Sequence, residues 1–569
     1  MKKFIWLSLF LCVFQLSVFA TDFETATQAV ANMKVGWNLG NTLDAHAQKG
    51  KDVSSNSYWG QEGVESEVRW GQPKTTFSLL KMYRDAGFGA IRVPVTWYNH
   101  MDANGKVDDA WMARVKEVVD YVIDNGLYCI LNVHHDTGAD SDSHTSWLKA
   151  DATYYNNNKQ RFEYLWKQIA ETFRDYDEHL LFESYNEMLD TYSSWCFASF
   201  ASPKKYDATV AASAYQAINN YAQSFVNTVR ATGGNNAQRN LVVNTYGACC
   251  GEGTWNAHLT DPLKEMALPA DQVQNHLIFE IHSYPPVTNL TETRKTVDDI
   301  ISKLKTHLAA KGAPVIFGEW GTSTDNAYDN YRSNMAAFAK YFVEQTKAAG
   351  IGTFYWMGLT DGGDRLRLKW SMPEIKNAIL KGWYGDDYAI PADPEEPELI
   401  YKVSYNSSWQ ELNLYYDNGT MLNTNDYTGI RLELGETPLE GNLQVKVYGG
   451  ADGKEQYLPV TSASQTFSFS PTTLSSRVRR VTLQYKKSEA YTINVTGAWL
   501  IKKDGTEVES EIDPFWGCSM EAIVVTGIRQ VSGNTAVAVG SQLYNLHGQR
   551  IKEPQGGIYI RNGKKYLIN

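Results

Sequence analysis

The chain has 569 residues, 43% of them hydrophobic and 21% charged, with a formal net charge of −11. That length implies two or three domains rather than one. The acidic balance argues against a nucleic-acid binder, whose affinity rests on basic patches, and is compatible with a neutral polymer. The 17 Trp and 34 Tyr suit exposed stacking surfaces for the apolar faces of sugar rings as well as cores.

Residues 1–20 read as a secretory leader. Lys2 and Lys3 precede an apolar run from Phe4 to Leu11, which continues weakly to Phe19, with cleavage expected before Thr21. Gln15 interrupts the run, and a membrane-spanning helix needs about 20 apolar residues. No later segment is apolar enough to span. Cys12 lacks the small residues expected before a lipid-bearing cysteine. A secreted or cell-surface chain is expected, and losing Lys2 and Lys3 would take the net charge from −11 to −13. Five cysteines then remain: Cys129, Cys196, Cys249, Cys250 and Cys518. The number is odd and no CxxC spacing occurs, so a disulfide is permitted but not demanded, and zinc is not expected.

Eight apolar runs follow in chain order, at 35–43, 90–97, 127–136, 180–187, 241–247, 276–284, 314–321 and 352–359. Each reads as a strand buried on both faces. Helical periodicity fills the gaps. Val115, Val118, Val119, Val122 and Ile123 share one face before Gly126. Val297, Ile300, Ile301, Leu304 and Leu308 do the same before Gly312. This α/β pattern predicts a (β/α)8 TIM barrel over 21–389. A doubly wound open sheet is the competitor, weakened because no Gly-rich phosphate fingerprint follows the first run. Residues 390–398 carry three prolines among acids and read as an extended linker. Short alternating runs separated by Asn, Gly and Asp then predict an all-β sandwich over 399–515. Trp409, Tyr415 and Tyr416 make it a possible carbohydrate-binding module, although spacer or packing roles fit as well. Residues 516–569 read as a short β-rich unit with a hairpin turn at Asn562-Gly563. This tail resembles the C-terminal sorting or anchoring domains of surface proteins in some Gram-negative bacteria.

Barrel enzymes carry their reacting groups at the C-terminal ends of strands. The fourth run ends Phe182-Glu-Ser-Tyr-Asn-Glu187 and the seventh ends Ile316-Phe-Gly-Glu-Trp-Gly321. Two carboxyl groups at opposing strand ends are what glycosidic-bond cleavage requires: one protonates the departing oxygen, the other attacks or activates water. From Gly36 to Gly358 the chain resembles glycoside hydrolase family 5. The residues carrying that resemblance are Gly36-Trp-Asn-Leu-Gly-Asn-Thr-Leu-Asp44, Ile91-Arg-Val-Pro-Val-Thr-Trp97, Leu131-Asn-Val-His-His135, Asn186-Glu187, His282-Ser-Tyr284, Gly318-Glu319 and Trp356.

The resemblance implies a retaining hydrolase with Glu187 as acid/base and Glu319 as nucleophile. It further implies that Arg92 and Tyr284 hold Glu319, that His282 orients Glu187, and that Asn186 contacts the sugar 2-hydroxyl. His134 would bind another hydroxyl, and Trp356 would stack under the distorted ring. No cofactor and no metal is expected: His134-His135-Asp136 would need further ligands, and 38–44 offers no His-x-His. Family members usually carry Asn-Glu-Pro after the fourth strand, whereas Met188 follows Glu187 here. The missing proline permits a different loop path and leaves the substrate subsite open. Trp59, Trp70, Trp147, Tyr154, Tyr155, Tyr192, Trp195 and Phe197 lie in mouth loops and are candidates for a polysaccharide platform. The expected activity is an endo-β-1,4-glucanase acting as a monomer, with xyloglucan or mannan as rival substrates. A non-catalytic glycan-binding protein is the rival from another class.

Overall fold

The computed structural model describes residues 23–46, 63–141, 144–195, 206–253, 257–322, 328–417, 419–451, 453–510, 512–524, 528–530, 543–544, 550–551, 557–561 and 564–568. The expected leader, Trp59, Cys196, Phe197 and the Asn562-Gly563 turn lie outside the described residues.

The eight apolar runs form eight parallel strands: β1 (Val35–Asn38), β2 (Ala90–Val93), β3 (Tyr128–Asn132), β4 (Leu180–Glu183), β5 (Leu241–Cys249), β6 (Leu277–Ser283), β7 (Val315–Trp320) and β8 (Gly352–Tyr355). They pair in chain order, and β8 closes on β1. Most strands are shorter than the runs that announce them, because the last apolar residues leave the ladder and turn into the mouth. The helices are α1 (Ala26–Asn32), α2 (Phe77–Ala86), α3 (Asp109–Asp124), α4 (Ala152–Thr172), α5 (Ala208–Ala231), α6 (Asp261–Glu265), α7 (Leu290–His307), α8 (Tyr328–Ala348), α9 (Asp364–Arg367) and α10 (Pro373–Tyr384). Side-chain caps start several of them: Asp108 on α3, Asp151 on α4, Asp207 on α5 and Asn289 on α7. Each such cap contributes about 1 kcal/mol. The valine face of α3 is buried as its spacing predicts, and so are Val297, Ile300, Ile301 and Leu304 of α7. No helix among the described residues is long and apolar enough to cross a membrane.

The barrel interior is layered by the two-residue period of its strands. Ala90, Ile130, Leu181, Val242, Ile278, Ile316 and Phe354 form an apolar layer, which Ala26, Val30 and Met33 around α1 cover from below. Two residues further along the strands the layer turns polar, with Asn38, Arg92, Asn132, Glu183, Asn244 and Glu280, all fully buried. This polar layer is the floor of the mouth.

After the barrel, β9 (Leu399–Tyr405), β10 (Glu411–Tyr416), β11 (Leu422–Asn423), β12 (Tyr427–Leu434), β13 (Leu443–Gly449), β14 (Glu455–Pro459), β15 (Ser464–Ser468), β16 (Arg477–Tyr485), β17 (Tyr491–Lys502), β18 (Glu507–Glu509), β19 (Asp513–Trp516) and β20 (Ser519–Val524) build a sandwich. One sheet runs β10-β16-β13-β14, and the other runs β15-β12-β17-β9-β20. Leu412, Val445, Val447 and Leu483 from the first sheet meet Val403, Ile430, Leu432 and Val495 from the second in one core. Because β20 pairs with β9, the second sheet continues past residue 515. Five short strands between Ile528 and Ile568 form a further sheet.

Candidate active site

Arg92 organises the polar floor. Its guanidinium meets Glu183 with two parallel bonds of 2.7 Å. It also donates to Glu319 Oε1 at 2.7 Å and to Asn38 and Asn186 at 2.9 Å each. Such fork-to-carboxylate pairing is available to arginine and not to lysine. Burial raises the Glu183 carboxyl to about 7, with Arg92 pulling it down and Glu280 pushing it up. Asn132 adds a donor to Glu183 Oε1 at 3.0 Å.

Glu319 reaches the mouth through an irregularity in β7. Ile281 pairs with Phe317, but the next residue of β6, His282, pairs with Glu319, so Gly318 is an extra residue in the register. Strict alternation would place Ile316 and Gly318 inside and turn Glu319 out to the helices. The bulge resets the alternation. Phe317 and Trp320 both pack on Phe342 of α8, and Glu319 turns inward beside Arg92. A side chain at Gly318 is excluded, because its Cβ would fall on the Glu280 carboxyl group. Tyr284 donates to Glu319 Oε2 at 2.7 Å. Burial and the adjacent Glu319 charge hold the Tyr284 phenol well above its ordinary range, so it stays a donor.

Glu187 approaches from β4. His282 lies 2.8 Å from Glu187 Oε1 through Nδ1 and 3.3 Å from Glu280 Oε1 through Nε2. Burial disfavours the imidazolium, but the carboxylates of Glu319, Glu187 and Glu280 outweigh it and raise His282 to about 10. That shift favours the imidazolium, in which both ring nitrogens donate. Burial pushes Glu187 upward from the ordinary carboxyl range, opposed by His282 and assisted by Glu319. One oxygen of Glu187 and one of Glu319 lie within 4.8 Å of each other.

His134 is buried, its Nε2 3.9 Å from Glu319 Oε1. Burial and neighbouring cations hold it well below its ordinary value, so it is a neutral imidazole. Trp356 is half-buried and lies parallel to His134, with centroids 5.8 Å apart and planes 7° off parallel. Gly40 makes room for it, since a Cβ there would come within 2.9 Å of the indole. The structure thus brings together all eight residues singled out from the sequence: Arg92, His134, Asn186, Glu187, His282, Tyr284, Glu319 and Trp356.

Of the aromatics expected in mouth loops, Tyr154 and Tyr155 fall in the first turn of α4, and the other described ones are partly buried or exposed. Tyr155 is buried against Ser224, and the Trp147 indole donates to Asp136 at 2.6 Å, so both support the walls. Trp70 packs with His46 and His135, while Tyr154, Tyr192 and Trp195 are exposed. Met188 is fully buried, and its carbonyl accepts from Gly247 N–H at 3.0 Å. Asp190 Oδ1 accepts from the Tyr192 and Ser194 amides at 3.0 and 3.1 Å. These bonds fix the turn after Glu187 that a proline would otherwise stiffen.

Glu183, Glu280 and Asp44 also belong to the site, although their places in the sequence assign them no role. Each is a carboxylate inside or just past an apolar strand, a place that demands a partner. That signal was present beside Arg92, the cation on β2. Asp44 stands with His134 and His135, and Glu187 with His282 and Glu319, in groups whose donor atoms lie within 4.8 Å of one another. The Asp44 oxygens accept the amides of Asn41 and Thr42 at 3.0 and 2.7 Å, and the second group is bonded within itself. Cys129, Cys249, Cys250 and Cys518 are free and buried.

A closed parallel barrel with two carboxyl groups facing each other at its mouth is the framework of a glycoside hydrolase. The chain belongs to glycosyl hydrolase family 5: residues 47–361 match the family's cellulase model. Endoglucanase A of Clostridium longisporum is 30% identical over 392 residues, covering 65% of this chain and 68% of that protein. A broad-specificity endoglucanase structure from an uncultured bacterium is 54% identical, with a TM-score of 0.60, covering 64% of this chain and 97% of that one. A family 5 enzyme from Prevotella bryantii B14, solved with a xyloglucan tetradecasaccharide, is 42% identical, with a TM-score of 0.54, covering 63% of this chain and 99% of that one.

Proposed function

We propose that the chain is a retaining endo-β-1,4-glucanase in which Glu319 is the nucleophile and Glu187 the acid/base. The carrying observation is that one oxygen of each comes within 4.8 Å of one of the other, a close approach that supports retention. Retention is associated with carboxyl groups about 5–5.5 Å apart, inversion with about 6.5–9.5 Å. Arg92 and Tyr284 both donate to Glu319 and favour its carboxylate. Burial shifts Glu187 upward, the direction an acid catalyst needs.

In the first step a Glu319 oxygen bonds the anomeric carbon, the C–O bond to the leaving sugar breaks, and the Glu187 proton passes to that oxygen. In the second step Glu187 takes a proton from water as the water oxygen displaces Glu319. Asn186 accepts from Arg92 through Oδ1, which leaves its amide N–H groups to meet the sugar 2-hydroxyl. His134 and Trp356 form a polar edge and an apolar wall for the ring being distorted.

Cellulose-like or mixed-linkage glucan is the proposed substrate, in line with the endoglucanase names of the relatives. Xyloglucan is a second substrate within the same chemistry, favoured by the broad-specificity relative and by the ligand of the Prevotella enzyme. Secretion through a leader at 1–20, action as a monomer, a barrel to 389, a linker to 398, a sandwich that extends to β20 and a tail for surface attachment belong to the same proposal. Reducing-sugar release from barley β-glucan, with Glu319→Ala as the inactive control, tests the activity. Proton NMR of the first product tests the stereochemistry, and an initially inverted anomer would refute Glu319 as nucleophile. Binding without cleavage of any β-glucan or mannan would leave only a glycan-binding protein.

A further inference from the structure

The outer face of the β10-β16-β13-β14 sheet inverts the usual pattern. On β13, Leu443, Val445 and Val447 point into the sandwich core, so Gln444, Lys446 and Tyr448 point out. By the same alternation Glu411 and Asn413 of β10, and Thr482 and Gln484 of β16, also face outward, yet all four are buried. Strand β19 and the residues after it cover their end of the sheet: Asn413 Nδ2 donates to Asp513 Oδ2 at 3.2 Å, and Glu411 bridges Gly517.

These polar groups are bonded into one chain. Gln444 Nε2 donates to Gln484 Oε1 at 2.6 Å, and Gln484 Nε2 donates to Glu411 Oε1 at 2.7 Å. The Tyr448 and Thr482 hydroxyls donate to Glu411 Oε2 at 2.6 and 2.8 Å. Around this floor the large aromatic side chains are exposed: Trp516 at 66%, Trp409 at 56% and Tyr457 at 50%. Trp409 has a φ of 68°, a left-handed backbone that is an outlier for a bulky side chain, and its N–H is tied to Tyr485 O at 2.7 Å. Strain of that kind collects at ligand clamps. Floor and aromatics together line a cleft of about 780 Å³, within the range of ligand sites.

We propose that this cleft is a second glycan site, separate from the barrel mouth, that takes a neutral chain of β-linked hexoses. Trp409, Trp516 and Tyr457 stack on the C–H faces of successive rings, while the pre-oriented amides of Gln444 and Gln484 set the depth at which hydroxyls are met. Charge in the cleft is mixed rather than one-sided: Lys446 lies 3.2 Å from Glu455 and 3.9 Å from Glu411, and Lys486 is the second cation of the lining. That balance favours an uncharged ligand over an anionic one. Tyr415 and Tyr416 do not line the cleft, so of the three sandwich aromatics singled out from sequence only Trp409 belongs to it. The choice of ligand rests on the reading of the barrel as a β-glucan hydrolase.

The test uses the full chain carrying Glu319→Gln, run through native gels containing barley β-glucan, xyloglucan or, as control, dextran. Adding Trp409→Ala and Trp516→Ala is expected to weaken retardation by the two β-glucans at least about tenfold. The same pair in the otherwise unaltered enzyme is expected to leave cellotetraose hydrolysis unchanged. Gln444→Ala gives a second variant should the tryptophan pair lower the melting temperature, and it is expected to weaken retardation alone. Undiminished retardation in both variants overturns the proposal. So does loss of cellotetraose hydrolysis, or a self-associated chain that becomes monomeric in the tryptophan variant, which would make the occupant a second copy. If the unaltered chain cleaves no glucan yet shows tryptophan-dependent retardation, the glycan site stands and the enzymatic reading falls.

Discussion

Replacing Gly318 by alanine tests how the mouth is built. The added methyl carbon would lie 1.3 Å from Glu280 Oε1 and 2.7 Å from Glu280 Cγ, where ordinary contact begins near 3.4 Å. The Cγ would have to retreat by about 0.7 Å and the oxygen by well over an ångström. Glu280 is fully buried, with Oε1 3.3 Å from both Arg92 Nε and His282 Nε2, so moving it disturbs both partners. Either Glu280 is displaced or β7 shifts and carries Glu319 with it. Overpacking of this kind costs about 1–3 kcal/mol. A displacement of about 1 Å at a reacting group costs on the order of 100-fold in rate. Gly318→Ala is therefore expected to lose about 100-fold in kcat on barley β-glucan and to melt several degrees early. A double-mutant cycle with Glu280→Ala isolates the cause. If the collision is responsible, Gly318→Ala costs much less in stability in the Glu280→Ala background. Equal cost in both backgrounds would refute the reasoning.

Arg92→Lys keeps the charge and loses the fork shared by Glu183, Glu319, Asn38 and Asn186. Stripping a partner from a buried charge costs about 3–5 kcal/mol, so kcat/KM is expected to fall at least about 100-fold with a lower melting temperature; a near-normal enzyme would contradict the assigned geometry. His282→Gln removes a cation that pulls Glu187 down. Glu187 should then hold its proton to higher pH, and because the first step consumes that proton, the alkaline limb of kcat/KM should move upward; a downward move or none counts against Glu187 as the acid. Trp356→Ala is expected to reduce kcat/KM on cello-oligosaccharides about tenfold or more while leaving the melting temperature little changed, since the ring is half-buried. Prolonged dialysis against EDTA is expected to leave hydrolysis of β-glucan unchanged, and a metal-restorable loss would call for a ligand role for Asp44, His134 and His135.

The barrel was legible because strands buried on both faces need continuous apolar runs, and all eight strands fall within the predicted windows or extend only slightly past them. The exception in length is β5, which runs to Cys249 through a register shift after Asn244. Glu187 and Glu319 were legible because carboxylates at strand ends are conspicuous. Glu183 and Glu280 were not singled out, since inside a hydrophobic run each reads as an isolated polar residue until pairing places it beside Arg92 or His282. The bulge at Gly318 was equally hidden. A glycine between Phe317 and Glu319 is compatible with simple alternation, and only the register shows which way Glu319 turns. In the sandwich, Trp516 and Tyr457 come from separate strands and converge with Trp409 only when the sheet is assembled.

The double attachment of Arg92 has a consequence for the reaction cycle. On the proposed mechanism Glu319 becomes a neutral ester midway, and a guanidinium with no other partner would then be an isolated charge in a dry interior. Here the opposite edge is bonded to Glu183 as well, and Glu280 lies 3.3 Å from Nε. The site therefore alternates between two tolerable electrical states without rotating a buried side chain. Glu183 and Glu280 share the far side of the guanidinium, so the nucleophile can be discharged and recharged on every turnover while the arginine that aims it keeps other partners.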